Sequence, residues 1–135
     1  MQVSKTLDYA LRSLTLMSSS PVSTYRMKDI SEQRHIPLNY LAKIMRKLVN
    51  KGIVRSRVGP DGGYVLEKPP SDINLKDVYE AIEGEMRVVD CMDKDTLCTF
   101  YESCPQIPVW DKLHVSLTDI LKRTTIEDMV KQNHL

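Results

Sequence analysis

The stretch PLNYLAKIMRKLVNKGIVRSRVGPDGGYVLEK, residues 37–68, decides the fold. Pro37 opens it, and a fixed φ with no N–H suits the first turn of a helix. Leu41, Ile44, Met45, Leu48 and Val49 recur at helical spacing as one apolar stripe, and Gly52 is a helix stop. The opposite face carries Asn39, Tyr40, Lys43, Arg46, Lys47 and Asn50. Two strand-like runs, 53–58 and 64–66, flank Gly-Pro-Asp-Gly-Gly, which predicts a β-hairpin.

Upstream, VSKTLDYALRSLTLM places Leu7, Ala10, Leu11, Leu14 and Met17 on one face, so 3–18 reads as an amphipathic helix. SSSP at 18–21 breaks it, and MKDISEQR forms a short second helix. Helix, short helix, helix with a basic face and hairpin together make the winged helix-turn-helix order. An α-helix fits the DNA major groove, where Asn, Lys and Arg reach base edges and phosphates. Arg55 and Arg57 on the hairpin suit the DNA backbone or minor groove. At the tip, Gly62 and Gly63 permit a tight turn and a close approach to phosphates.

Charge is distributed in the same sense. Residues 1–68 hold 12 Lys and Arg against 5 Asp and Glu, about +7, and residues 69–135 hold 7 against 13, about −6. The two halves nearly cancel to the net +1 of the chain. A basic half of this kind suits a polyanionic partner, although segregated surface charge alone would look similar. The 135 residues suit one ordinary domain, or a small one with an appendage. No apolar run is long enough to cross a bilayer, so a cytoplasmic protein without membrane contact is expected.

Downstream, NLKDVYEAIEG predicts a short helix with Leu75, Val78, Tyr79 and Ile82 on one face. VWDKLHVSLTDILKR sets Trp110, Leu113, Leu117, Ile120 and Leu121 along a stripe that must bury against something. Part of it can pack on the first helix, and a two-fold copy of the chain is the economical partner for the rest. In TTIEDMV, Thr125 and Asp128 read as a capping pair, with fraying equally expected beyond Val130. The expected fold is mainly α with a small β-hairpin. Its organisation is a winged helix-turn-helix domain over 1–68 and a connecting helix over 69–90. A cysteine-rich loop over 91–104 and a dimerisation helix with a C-terminal segment over 105–135 complete it.

Cys91, Cys98 and Cys104 are the only cysteines, spaced Cys-x6-Cys-x5-Cys. Paired knuckles of the structural-zinc type are absent, and three thiols cannot all pair within one chain. Wide spacing on a loop suits an iron–sulfur cluster, with a metal-free reactive trio as the alternative. No nucleophile elbow, phosphate-binding glycine loop or His/carboxylate metal motif is present, so no enzymatic activity is expected.

SKTLDYALRSL, DISEQRHIPLNYLAKIMRKLVNKGIV and GPDGGYVL, with the late cysteine trio, resemble the Rrf-two-type bacterial transcription regulators, the family of IscR, NsrR, RirA and CymR. The resemblance covers nearly the whole chain. It implies a homodimer built on the long helix, a palindromic double-stranded DNA operator and cluster-ligand positions carried over to Cys91, Cys98 and Cys104. The cofactor implied is a [4Fe-4S] cluster, or a smaller [2Fe-2S] one, sensing nitric oxide, redox state or iron in a repressor. IscR adds a histidine ligand where this chain has Ile107, whereas NsrR draws an aspartate from the first helix of the partner subunit. Asp8 matches that aspartate, so the pattern stands nearer to NsrR; a surface charge complementing the helix dipole is the alternative. Val58 and Ala42 depart from IscR in the wing and recognition helix, so operator preference does not transfer. A cluster-free repressor controlled by a partner protein, and an iron–sulfur electron carrier or scaffold without DNA binding, remain the competing readings.

Overall fold

The computed structural model describes residues 2–89, 99 and 101–132. Helix α1 (Lys5–Met17) begins at Ser4, whose Oγ accepts from the Leu7 N–H at 3.1 Å. This satisfies a backbone donor that a helix start otherwise leaves open. Leu7, Ala10, Leu14 and Met17 are buried at the predicted spacing. Ser13 is buried on the same helix, its hydroxyl donating to the Tyr9 carbonyl at 2.8 Å.

Helix α2 (Met27–Arg34) ends at His35, which takes the left-handed conformation at φ 54° and ψ 51°. The Ser31 hydroxyl donates to the Ile36 carbonyl at 2.6 Å and closes the turn into α3 (Leu38–Asn50). Pro37 is the N-cap of α3, and its carbonyl accepts from the Leu41 N–H at 3.0 Å. Leu41, Ile44, Met45 and Leu48 are wholly buried, each stabilising the fold by roughly 1.5–3 kcal/mol. Val49, expected in that stripe, is 36% exposed at its edge. It lies about 100° around the helix from Leu48, beyond the buried face.

Strands β1 (Val54–Arg57) and β2 (Gly63–Leu66) form the antiparallel wing, with Val54 opposite Leu66 and Arg57 opposite Gly63. Tyr25, just before α2, exchanges both backbone hydrogen bonds with Tyr64 at 2.8 Å and so adds a single bridge to the sheet. A Cβ on Gly63 would lie 2.3 Å from the Tyr25 carbonyl oxygen, and one on Gly62 would lie 2.4 Å from that of Arg57. Gly62 is therefore required by the wing's own backbone packing and Gly63 by the close passage of Tyr25.

Asn74 caps α4 (Leu75–Glu83) by accepting from the Asp77 N–H at 2.9 Å. Helix α5 (Ile107–Arg123) buries only Ile107, whereas α6 (Ile126–Gln132) docks firmly. Ile73 and Leu75 exchange backbone bonds with Ile126 and Thr124 at 2.9 Å, and Ile126 is fully buried. The Thr125–Asp128 pair is reciprocal, with each backbone N–H donating to the other's side-chain oxygen at 3.0 and 3.1 Å. The helix runs past Val130 to Gln132, the last described residue. One buried cluster joins side chains of α1, α2, α3, α4, α6 and the wing. The architecture is mainly helical with a two-stranded hairpin, as expected.

Candidate nucleic-acid interface and metal site

Burying one side of α3 turns the other outward. Asn39, Tyr40, Lys43, Arg46 and Lys47 are all exposed. Lys43 and Arg46 have no ion-pair partner among the described residues, which suits cations held for an external anion. Lys47 differs: its Nζ donates to the Ile82 carbonyl at the end of α4, at 3.0 Å. Tyr40 stands edge-on to Tyr9 of α1, with ring centroids 5.9 Å apart and planes at 73°.

The wing follows α3 and is held by contacts of its own. Arg57 donates from Nη1 to the Thr24 hydroxyl at 3.1 Å, which holds the guanidinium near the turn before α2. Arg55 sits 3.4 Å from Glu67 on the adjoining strand end. Arg26 donates to the Pro60 carbonyl at 3.1 Å and lies 3.7 Å from Asp61, so it braces the tip. Sequence reasoning missed Arg26, because its partner lies 34 residues away and only the Tyr25–Tyr64 bridge brings the two together. Thr24, Arg26, Arg57 and the tip line a cleft of about 610 Å³.

Of the four expected metal ligands, Asp8 and Cys104 fall among the described residues; Cys91 and Cys98 lie outside them. Cys104 is half-buried three residues ahead of α5 and has no disulfide partner among the described residues. Asp8 is held by a two-pronged contact from Arg12, with Nη2 at 2.7 Å and Nε at 3.2 Å. Arg12 also donates to the Arg34 carbonyl at 3.3 Å and lies 5.2 Å over the Tyr9 ring. A continuous run of contacts thus leads from Asp8 through Arg12 and Tyr9 to Tyr40 on α3. Among the described residues, no three His, Cys, Asp or Glu side chains gather as a metal site. The Ile107 side chain is buried and offers no donor.

On α5, Leu113 is 42% and Ile120 54% exposed, while Trp110, Leu117 and Leu121 are half-buried. Pro108, Val109, Lys112, Leu113 and Ser116 line a shallow apolar groove on this helix. No described helix is long and apolar enough to cross a membrane.

Residues 3–132 match the Rrf2 family, described as iron-dependent transcriptional regulators. The chain is 31% identical over 133 residues to the HTH-type transcriptional regulator NsrR of Oceanobacillus iheyensis, covering 97% of this chain and 90% of that protein. It is 32% identical over 133 residues to IscR of Klebsiella pneumoniae, covering 98% and 77%. In fold it superposes on CymR, the global cysteine regulator of B. subtilis, with a TM-score of 0.81 at 24% identity over 98% of both chains.

Proposed function

The chain belongs to the Rrf2 family of transcriptional regulators, and from that membership we propose that it is a homodimeric repressor whose operator binding is governed by an iron–sulfur cluster. The observation that carries the DNA-binding part is the outward face of α3, where Lys43 and Arg46 are exposed, together with a wing held by the Arg57 and Arg26 contacts. Asn39 and Tyr40 at the start of α3 are the base-reading candidates, since the first turns of a recognition helix enter the major groove. Lys43, Arg46 and Arg57 supply the charge for phosphates or guanine edges. A palindromic operator follows from two such heads related by a two-fold axis.

The donor set suits the cluster chemically. Thiolates of Cys91, Cys98 and Cys104 are soft ligands for iron, and the Asp8 carboxylate is a hard, more readily displaced one. When bound, the group supplies a centre reactive toward nitric oxide and oxidants. Iron ligation by Asp8 would compete with its two-pronged pair with Arg12 for the same two carboxylate oxygens. Arg12 would then keep Tyr9 and the Arg34 carbonyl as partners, and its changed position would reach Tyr40 through Tyr9. The exposed apolar residues of α5, Leu113 and Ile120 among them, are the proposed dimer contact.

The test is anaerobic purification of wild type and Asp8→Ala, with absorbance spectra, iron and sulfide counts and mass in solution. A wild-type dimer with about four irons per chain, perturbed or depleted in the variant, supports the reading. An unchanged cluster in the variant removes Asp8 as a ligand. Colourless wild-type protein after reconstitution points to a cluster-free repressor, and a monomer at micromolar concentration removes the α5 interface. Failure to bind any duplex in a salt-dependent manner leaves the electron-carrier reading.

A further inference from the structure

We propose that Lys47 is a positioning residue tying the recognition helix to the last turn of α4, rather than a contact to the DNA backbone. The proposal rests on the DNA-binding reading above. Lys47 Nζ donates to the Ile82 carbonyl at 3.0 Å across 35 residues of sequence. That carbonyl belongs to the last four of α4, which find no N–H partner inside their own helix. Helix α4 brings no basic residue to its last turn, and Glu83 sits there beside the negative end of the helix dipole. The Lys47 ammonium therefore supplies from α3 the positive charge that the last turn of α4 lacks, in a charge-assisted hydrogen bond.

The same turn is held from a second side. Ser4, the N-cap of α1, donates its hydroxyl to the Glu83 carboxylate, one turn ahead of Asp8. Gly84 then ends α4, Met86 is buried, and Cys91 follows seven residues after Gly84. The end of α4 is thus where α1, α3 and the approach to the cysteines converge. A displacement of this turn pulls on α3 through Lys47, within one subunit and without passing through Asp8.

The experiment compares wild type, Lys47→Met and Lys47→Arg as full chains. Specific binding uses a duplex selected by the wild type from a random pool, in cluster-loaded and cluster-free forms, over a series of salt concentrations. Amide exchange is followed at residues 80–86. Lys47→Met should leave the slope of log K against log salt unchanged, raise exchange at 80–86 and bring the affinity ratio of the two forms toward one. Lys47→Arg should restore exchange and ratio. A slope shallower by about 0.9 per subunit would make Lys47 a phosphate contact and overturn the proposal. Unchanged exchange in Lys47→Met would overturn it as well. If the wild type binds equally in both forms, the cluster-control reading fails instead, while slope and exchange still decide the Lys47 tie.

Discussion

Tyr40 on the outward face of α3 meets Tyr9 of α1 edge-to-face, with centroids 5.9 Å apart, and Arg12 covers the same Tyr9 ring. A side chain suited to touching DNA is thereby oriented by the helix that carries Asp8. Edge-to-face pairs of this kind contribute about 0.5–1.5 kcal/mol beyond area burial. A double-mutant cycle with Tyr9→Leu and Tyr40→Leu, followed by urea unfolding, should return a coupling energy in that range. Coupling indistinguishable from zero would show that Tyr9 does not orient Tyr40.

Lys43 and Arg46 should behave unlike Lys47. Each Gln substitution is expected to weaken binding to the specific duplex. The salt slope should fall by about 0.9 for every phosphate contact removed, counted twice in a dimer. Fluorescence anisotropy with specific and unrelated duplexes separates the roles. A phosphate contact loses affinity on both, whereas a base contact costs roughly 1–3 kcal/mol on the specific site alone.

Gly63→Ala tests the brace beneath the wing. Its Cβ would stand 2.3 Å from the Tyr25 carbonyl oxygen, which is backbone and has little room to yield. Overpacking of this kind costs about 1–3 kcal/mol. Thermal melting should show the loss, and operator affinity should fall further as the Arg57 strand moves. An unchanged melting temperature would mean that the Tyr25 bridge is dispensable.

Asp128 sets a pH dependence for α6. Hydrogen bonding from the Thr125 backbone N–H, then the Thr125 side chain, holds its carboxyl below the ordinary value. A depressed folded-state pKa stabilises the protein above the unfolded carboxylate pKa of about 3.9. That contribution disappears as pH falls through the lower folded value. The stability difference between wild type and Asp128→Asn should be constant above about pH 5 and shrink below pH 4. A difference that grows on acidification would contradict the cap. Independently, Thr125→Ala should cost about 0.5–2 kcal/mol at neutral pH.

Much of the fold is local and so was legible. The buried spacing of Leu41, Ile44, Met45 and Leu48, the Thr125–Asp128 cap and the Gly-Pro-Asp-Gly-Gly turn all arise from interactions within a few residues. The Asp8–Arg12 pair also lies one helical turn apart, within reach of a linear reading. Lys47 shows where that reading ends. By spacing it shares the polar face of α3 with Lys43 and Arg46, yet its ammonium turns to a carbonyl on another helix.

Residue order by itself determined the succession of helices and hairpin, the side of α3 that faces outward and the donor types available for a metal. Tertiary structure alone decided that Arg26 braces the wing tip, that Gly63 must pass under Tyr25, that Ile126 completes the core and that Lys47 caps α4. The physical reason is range. Helical periodicity, caps and turns are set by contacts three or four residues apart, which a linear pattern records. A hydrogen bond across 34 or 35 residues forms only after apolar burial has fixed how the helices lie against one another.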